Sequence, residues 1–134
     1  MQGDKIGNEA GKVTLRKTVP NPGGIPKVET TFEATGSILG VKHITIGTYV
    51  SMLRPDGTVF GEGQGVVRGN GGAMASWVGQ GVGTFRPDGG VSYRGAIFYQ
   101  TPSPQWSRLN SVAAIFEYEV DGQGNTSAQI WEWK

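Results

Sequence analysis

Glycine recurs at every second position along two neighbouring segments of this chain. The first series is Gly61, Gly63 and Gly65, and the second is Gly79, Gly81 and Gly83. Two is the side-chain period of a β-strand, so each series leaves one face of a strand without side chains. Glycine inside a strand marks a bulge, a tight corner or the close approach of another backbone. Two bare strands side by side therefore predict a sheet that curls upon itself.

The composition narrows the chemistry open to the chain. Its 134 residues suit one domain with a sizeable core, and the absence of cysteine excludes disulfides, thiolate metal sites and cysteine nucleophiles. One histidine, His43, argues against a multi-histidine metal centre. A net charge of +1 gives no electrostatic reason to expect nucleic acid or an anionic membrane as a partner. We therefore expect no metal and no cofactor.

The lengths of the apolar runs predict the compartment, and the polar N-terminal stretch predicts where the folded domain begins. No run approaches the roughly 20 apolar residues that span a bilayer, and the N-terminal stretch has no apolar core of the signal-peptide kind. The expected location is the cytoplasm. Residues 1–11 are polar and carry glycines, which predicts a mobile N-terminal arm, with the folded domain over residues 12–134.

From residue 12 onward the chain divides into about eight segments of period two, separated by turn signals, and none has a helical period of 3.6. The predicted strands are Lys12–Val19, Val28–Leu39, His43–Leu53, Thr58–Arg68, Ala73–Phe85, Val91–Thr101, Arg108–Val120 and Thr126–Lys134. Most of the turns are short, so consecutive strands should pair antiparallel. Closing such a meander into a barrel removes its edges, and the bare glycine faces favour an all-β antiparallel barrel over the alternative, a sandwich.

Three stretches carry a resemblance to a known family. They are Gly61-Glu-Gly-Gln-Gly65, Trp77-Val-Gly-Gln-Gly-Val-Gly-Thr-Phe85 and Tyr93-Arg-Gly95. With the eight-strand meander, they resemble the allene oxide cyclase-like barrels, which include plant cyclases, dirigent-type proteins and small bacterial barrels of unknown role. The resemblance runs from about Glu29 to the end of the chain and implies a barrel with an apolar cavity that assembles as an oligomer. No residue matches the catalytic set of the cyclases, so the catalytic residues are unknown.

The polar candidates each have an ordinary structural interpretation. The glycines do not form a nucleotide-binding G-x-G-x-x-G pattern and lie within strands. Glu117 and Glu119 project from one strand face, where paired carboxylates could work as acid and base, but alternation with Phe116 and Tyr118 places them on the solvent side. His43 has no evident partner and is interpreted as structural or exposed.

The aromatic residues are the remaining signal for a binding site. If the bare glycine faces point inward, Val59, Phe85 and Ile97 point inward with the five residues that we expect to line the wall. Those five are Trp77, Tyr93, Tyr99, Phe116 and Tyr118. An apolar cavity with a few hydroxyl groups is typical of small-molecule sites. The alternative is a filled core, because the interior of an eight-stranded barrel is just wide enough for side chains to fill it.

The outward faces also carry apolar residues, which predicts self-association. They are Val78, Val82, Phe98, Ala113 and Ile115. A monomer rarely exposes a contiguous patch of this kind, so we expect a homo-oligomer, a dimer or a trimer. Taken together, the sequence favours a barrel that binds a small apolar molecule in its interior. An isomerase or cyclase using Glu117 or Glu119, and a non-catalytic structural or oligomerising barrel, are the alternatives.

Overall fold

A computed structural model describes residues 2–20 and 23–134. Over these residues the chain forms a closed antiparallel barrel of eight strands in sequence order, and the first strand pairs with the last. The strands are β1 (Gln2–Thr18), β2 (Lys27–Ile38), β3 (Val41–Leu53), β4 (Val59–Gly69), β5 (Met74–Phe85), β6 (Val91–Gln100), β7 (Ala114–Val120) and β8 (Asn125–Trp133). The described residues contain helix only as two short 3₁₀ segments. The predicted all-β antiparallel barrel is thus confirmed.

The first strand corrects the predicted N-terminal arm. The prediction placed a mobile arm over residues 1–11 and began the barrel at residue 12, yet from Gln2 onward this stretch is β1, which pairs with both β2 and β8. The glycines taken as a sign of mobility have a packing function instead. A Cβ at Gly11 would lie 1.9 Å from the Glu33 carbonyl oxygen, so only glycine lets the two backbones come this close. Without this strand β8 would have an open edge.

The bare glycine faces point into the barrel, beneath aromatic rings. A Cβ at Gly65 would lie 2.3 Å from the indole ring of Trp77, and one at Gly61 would lie 3.1 Å from the ring of Tyr93. These glycines therefore make room for large side chains, as an eight-stranded interior requires. The closest backbone approaches occur elsewhere, at positions such as Gly36 and Gly95, where an added Cβ would lie within 2 Å of a carbonyl oxygen of the neighbouring strand.

One end of the barrel is closed by the 3₁₀ segment Pro104–Ser111. Trp106 and Leu109 are 0% and 1% exposed, and the Trp106 indole donates a 2.9 Å hydrogen bond to the carbonyl oxygen of Ile38. The sequence analysis assigned residues 108–113 to a strand, which is wrong because β7 begins only at Ala114. Residues three apart share a face of a 3₁₀ turn, so this spacing buries both apolar side chains.

The opposite end carries three short turns of common design. In each turn an aspartate side chain accepts a backbone hydrogen bond of 2.9 Å from the residue two positions later, and the aspartates are Asp56, Asp88 and Asp121. These turns link β3 to β4, β5 to β6 and β7 to β8, as the predicted turn signals required. The two ends of the barrel are therefore built differently.

One prediction of side-chain direction was wrong, and the inner face of β3 was not predicted. Phe85 was expected inside with Trp77, but it lies at the end of β5 and is 55% exposed. On β3 the in-phase isoleucines Ile44 and Ile46 are 52% and 43% exposed, whereas the alternate residues, including His43 and Thr45, are buried. The apolar face of β3 is thus its outer face, and its mostly polar face lines the interior.

Candidate functional site

A cavity of about 70 Å³ lies inside the barrel. The structure brings all five residues predicted as its wall to its surface, namely Trp77, Tyr93, Tyr99, Phe116 and Tyr118. Three inward glycines, Gly61, Gly79 and Gly81, complete the lining on β4 and β5. A Cβ at Gly61 or Gly81 would lie 3.1 Å from the ring of Tyr93 or Phe116, whereas one at Gly79 would meet no side chain closer than 3.8 Å, so Gly79 leaves the most open space.

Two aromatic residues that the sequence analysis did not include also line the cavity. Phe32 on β2 packs against Tyr118 with ring centroids 5.3 Å apart, and Tyr49 on β3 meets Tyr118 edge to face at 5.7 Å. Tyr93 lies 5.8 Å from Tyr49 in a similar edge contact. Edge-to-face and tilted contacts of this kind fix the rings relative to one another. The cavity therefore has a wall of mutually supported aromatic rings.

Polar groups of the wall are mostly bonded to neighbours within the barrel. The hydroxyl groups of Tyr93 and Ser51 are 2.8 Å apart, and the Trp77 indole donates a 3.0 Å hydrogen bond to the hydroxyl of the fully buried Thr45. The hydroxyl of Tyr118 donates a longer, 3.4 Å bond to that of Tyr49. Because these bonds hold the polar atoms in the wall, the cavity presents chiefly ring faces and methyl groups.

All four tyrosines of the chain lie in this interior, and burial raises the pKa of each. Burial brings the pKa of Tyr93 to about 12. The pKa of Tyr99 is raised first by burial and then by the negative charge of Glu9, which also adds to the shift of Tyr118. Hydroxyl groups with such high pKa values are neutral at physiological pH and can act as hydrogen-bond donors.

A buried carboxylate also lines the cavity, and the sequence analysis missed it. The side chain of Glu9 is 9% exposed, and its Oε2 atom lies 2.7 Å from Nε2 of His43, whose side chain is 0% exposed. Since the carboxylate accepts, Nε2 donates the hydrogen of this bond. His43, interpreted from the sequence as structural or exposed without a partner, is therefore buried and bonded to an acid.

The partnership depends on a glycine between the two strands. Gly36 on β2 pairs with Glu9 on β1 on one side and with His43 on β3 on the other. Because Gly36 has no side chain, the two polar side chains reach across β2 and meet. A Cβ at Gly36 would lie 1.8 Å from the Asn8 carbonyl oxygen, so this row of the barrel tolerates nothing larger than glycine without a backbone shift.

The second ring nitrogen of His43, Nδ1, has a different environment. Nδ1 of His43 is buried and has no hydrogen-bond partner among the described residues. Beside it, the Trp106 ring meets the imidazole edge to face with centroids 6.4 Å apart. With Nε2 donating to Glu9, Nδ1 is the ring nitrogen left without a partner.

The carboxylates proposed from the sequence as acid and base lie outside the barrel. The side chains of Glu117 and Glu119 are 46% and 29% exposed, and both face Arg94, which lies 2.7 Å from Glu119. Burial raises the pKa of Glu119, but hydrogen bonds from Ser92 and Arg94 outweigh it and leave the pKa below its ordinary value. The predicted solvent-side placement of both glutamates is confirmed, and neither lines the cavity.

The signals for the missed residues were present in the chain. Gly7, Glu9 and Gly11 alternate as glycines do in the two recognised strands, so Glu9 shares a face with inward glycines. On β3, the alternation His43, Thr45, Gly47 and Tyr49 carries the same pattern, but the isoleucines between them gave the stronger hydrophobic signal. Because the apolar isoleucines lie on the outward face of β3, hydrophobic alternation alone did not identify its interior face.

The fold and its interior define a small closed antiparallel barrel with an aromatic cavity, and solved structures of the same fold exist. A conserved protein of unknown function from Rhodopseudomonas palustris is similar with a TM-score of 0.81 and 10% identity, covering 96% of this chain and 94% of that one. A protein of unknown function from Clostridium acetobutylicum is similar with a TM-score of 0.83 and 12% identity, covering 96% of both chains. A β-barrel-like protein from Acinetobacter baumannii gives 0.83 and 11%, covering 98% of this chain and 94% of that one.

These similarities concern the fold alone, because the identities are low. No protein-family model matches the chain, and neither does any protein of curated function. The described residues include no helix that is long and apolar enough to cross a membrane, and no group of three or more potential metal-binding side chains. The interior of the barrel is therefore the basis for a functional proposal.

Proposed function

We propose that this barrel binds a small, largely apolar molecule in its interior. The observation that carries the proposal is the cavity of about 70 Å³ between aromatic rings and side-chain-free strand faces. Apolar pockets with a few convergent polar groups are the usual form of small-molecule sites. A filled core would instead place a side chain at Gly79, where a Cβ would meet nothing closer than a carbonyl oxygen at 3.3 Å.

The volume limits the ligand. An engineered apolar cavity of about 150 Å³ accommodates benzene, and this cavity of about 70 Å³ is roughly half that size. By proportion, the enclosed part of the ligand has about three or four non-hydrogen atoms. A larger molecule would have to extend beyond the cavity or displace an aromatic ring.

Native mass spectrometry of the purified protein, followed by organic extraction, tests the proposal. The expected result is a retained small molecule, or uptake of an added one, that is lost when the cavity is filled. Gly79→Ala is the cavity-filling variant. The added methyl group would project into the cavity, and its nearest neighbour would be the Ala96 carbonyl oxygen at 3.3 Å. Val78→Ala on the outer face of the same strand is the matched control. No retention or uptake by the wild-type protein would overturn the proposal.

A second candidate function is isomerase chemistry, and the buried Glu9 is the observation that favours it. A carboxylate in an apolar cavity can remove a proton from carbon next to a carbonyl group, while a neutral tyrosine hydroxyl donates a hydrogen bond to the enolate oxygen. Glu9 and Tyr99 line the same cavity. Acetone in deuterated water is a suitable probe: Glu9-dependent exchange of its hydrogens would support this function, and equal rates for wild type and Glu9→Gln would exclude it.

The remaining predictions concern assembly, kinship and location. On the outer face, Val78 and Phe98 are paired across β5 and β6 and are 57% and 49% exposed, and with Ala96 they line an open groove. This patch supports the proposal of a homo-oligomer, which sedimentation would contradict by showing a monomer at high concentration. Kinship with allene oxide cyclase-like barrels and a cytoplasmic location are likewise proposals, based on the sequence patterns described above.

A further inference from the structure

We infer that the ligand of the interior cavity is a small organic cation of the alkylammonium class. This inference rests on the proposed binding function and names its ligand chemistry. Its structural basis is the combination of aromatic rings with a single buried carboxylate, Glu9, the one acidic side chain among the described residues that line the cavity.

The aromatic wall is the first part of the argument. Rings from five strands surround the cavity, with Phe32, Trp77, Tyr93, Phe116 and Tyr118 among them. The face of an aromatic ring carries negative potential and attracts a cation within about 6 Å of its centroid, with a gain of about 2 kcal/mol or more where the site is desolvated. Alkylammonium ions combine such a charge with methyl groups, so they satisfy an aromatic cavity better than a neutral or an anionic molecule does.

The charge of the cavity is the second part. Among the described residues that line it, Glu9 is the one with a carboxylic acid, and none has a basic side chain. Oε2 of Glu9 is bonded to Nε2 of His43 at 2.7 Å. His43 supplies one hydrogen bond to this carboxylate through Nε2, and a carboxylate can accept several, so Glu9 retains acceptor capacity for a further donor.

A cationic ligand beside Glu9 would give this carboxylate a second charge-assisted contact. The side chain of Glu9 is 9% exposed, so water does little to screen the pair. An anion would meet repulsion from the same carboxylate. The cavity is therefore complementary to a cation both in its rings and in its charge.

The size of the cavity selects small members of the class. Space for about three or four non-hydrogen atoms suits dimethylammonium or trimethylammonium. A quaternary or longer-chain ion would have to place part of its structure outside the cavity of about 70 Å³.

The test compares three probes with the same number of non-hydrogen atoms and different charge: trimethylammonium, 2-propanol and acetate. Binding to the full chain is measured by saturation-transfer NMR and calorimetry at constant ionic strength. We expect trimethylammonium to bind at least tenfold more tightly than 2-propanol, and acetate not to bind. Glu9→Gln should weaken the cation by tenfold or more and leave 2-propanol unchanged. The control is Glu62→Gln, because Glu62 lies on the outer surface beside Gln80.

A second variant keeps the inference testable if Glu9→Gln does not fold. Phe116→Leu retains an apolar side chain but removes a ring, so it should weaken trimethylammonium severalfold more than 2-propanol. Equal affinity for cation and alcohol, or a cation affinity insensitive to both variants, would overturn the ligand class while leaving the proposed binding function intact. Failure of all three probes to bind would overturn the ligand class, and retention of some other molecule in native mass spectrometry would then decide the binding function separately.

Discussion

Oε2 of Glu9 and Nε2 of His43 lie 2.7 Å apart across the bare backbone of Gly36. The two residues are 34 positions apart in the chain and come from strands that do not touch each other directly. Closure of the barrel brings them together, and the glycine between them leaves the path open. Within the described residues this is the one place where an acid and the histidine meet inside the barrel.

A double-mutant cycle measures the strength of this contact. Glu9→Ala and His43→Ala should each lower the free energy of unfolding by about 1–3 kcal/mol, because each leaves a buried polar partner unsatisfied. The double variant should lose about 1–2 kcal/mol less than the sum of the two single losses. The exposed pair Glu62 and Gln80, 3.0 Å apart, is the control and should show coupling below about 0.5 kcal/mol. Additive losses at Glu9 and His43 would mean that the contact contributes nothing.

Alanine substitutions at two glycines in neighbouring strands should have different effects on the stability of the barrel. At Gly65 the new Cβ would lie 2.3 Å from the Trp77 indole, so the ring must move and lose its bond to Thr45. We expect Gly65→Ala to destabilise the barrel by about 1–3 kcal/mol. At Gly79 the nearest atom would be at 3.3 Å, so Gly79→Ala should be neutral or stabilising by about 0.5 kcal/mol. Urea denaturation of both variants checks this, and equal losses would show that Gly65 is not confined by Trp77.

The closed end of the barrel depends on Trp106. This side chain is 0% exposed, and its indole bonds the Ile38 carbonyl oxygen. Trp106→Ala should cost about 3–5 kcal/mol through the cavity that it leaves. Trp106→Phe keeps most of the packing and should cost about 1–3 kcal/mol, chiefly for the unsatisfied carbonyl group. Thermal unfolding measures both, with the exposed Trp133→Phe as the control. A small effect of Trp106→Ala on thermal unfolding would mean that the segment Pro104–Ser111 unfolds separately from the barrel.

In an alkaline titration, all four tyrosines should ionise together with the unfolding of the barrel. Burial raises every tyrosine pKa above the ordinary value of 10.0, to about 12 for Tyr93. A group with a raised folded-state pKa contributes stability below its unfolded pKa and loses that contribution as the pH rises through the folded value. Stability should therefore fall between about pH 10 and pH 12. Phenolate absorbance should rise together with the loss of β-sheet circular dichroism, and ionisation of one or more tyrosines near pH 10 in the folded state would contradict the interior placement.

The fold was predictable because its signals are local. Alternating side chains, short turns such as Arg54–Gly57, and the bare glycine faces all indicate an antiparallel barrel, and those glycines do lie beneath aromatic rings. The wall residue Tyr93 was likewise placed by simple alternation along β6. Period-two reasoning works here because each strand has a consistent inner face.

The polar part of the site was not predictable in the same way. Glu9 was missed because polar residues and glycines near the N-terminus indicate a mobile arm, and only barrel closure gives β1 its partners on both sides. Tyr49 was missed because Ile44 and Ile46, though apolar, face outward. Which face of β3 lies inside is decided by packing against Trp77 and Trp106, residues far away in the sequence.

The most direct test of a ligand-accessible interior is a crystal structure of the protein under xenon pressure. Dry apolar cavities bind xenon, so we predict one xenon site between Gly61, Gly81 and the rings of Tyr93 and Phe116, which line the cavity of about 70 Å³. The site should weaken or disappear in Gly79→Ala and persist in Val78→Ala. A wild-type interior without xenon, with the aromatic rings closed over the glycine faces, would contradict the account.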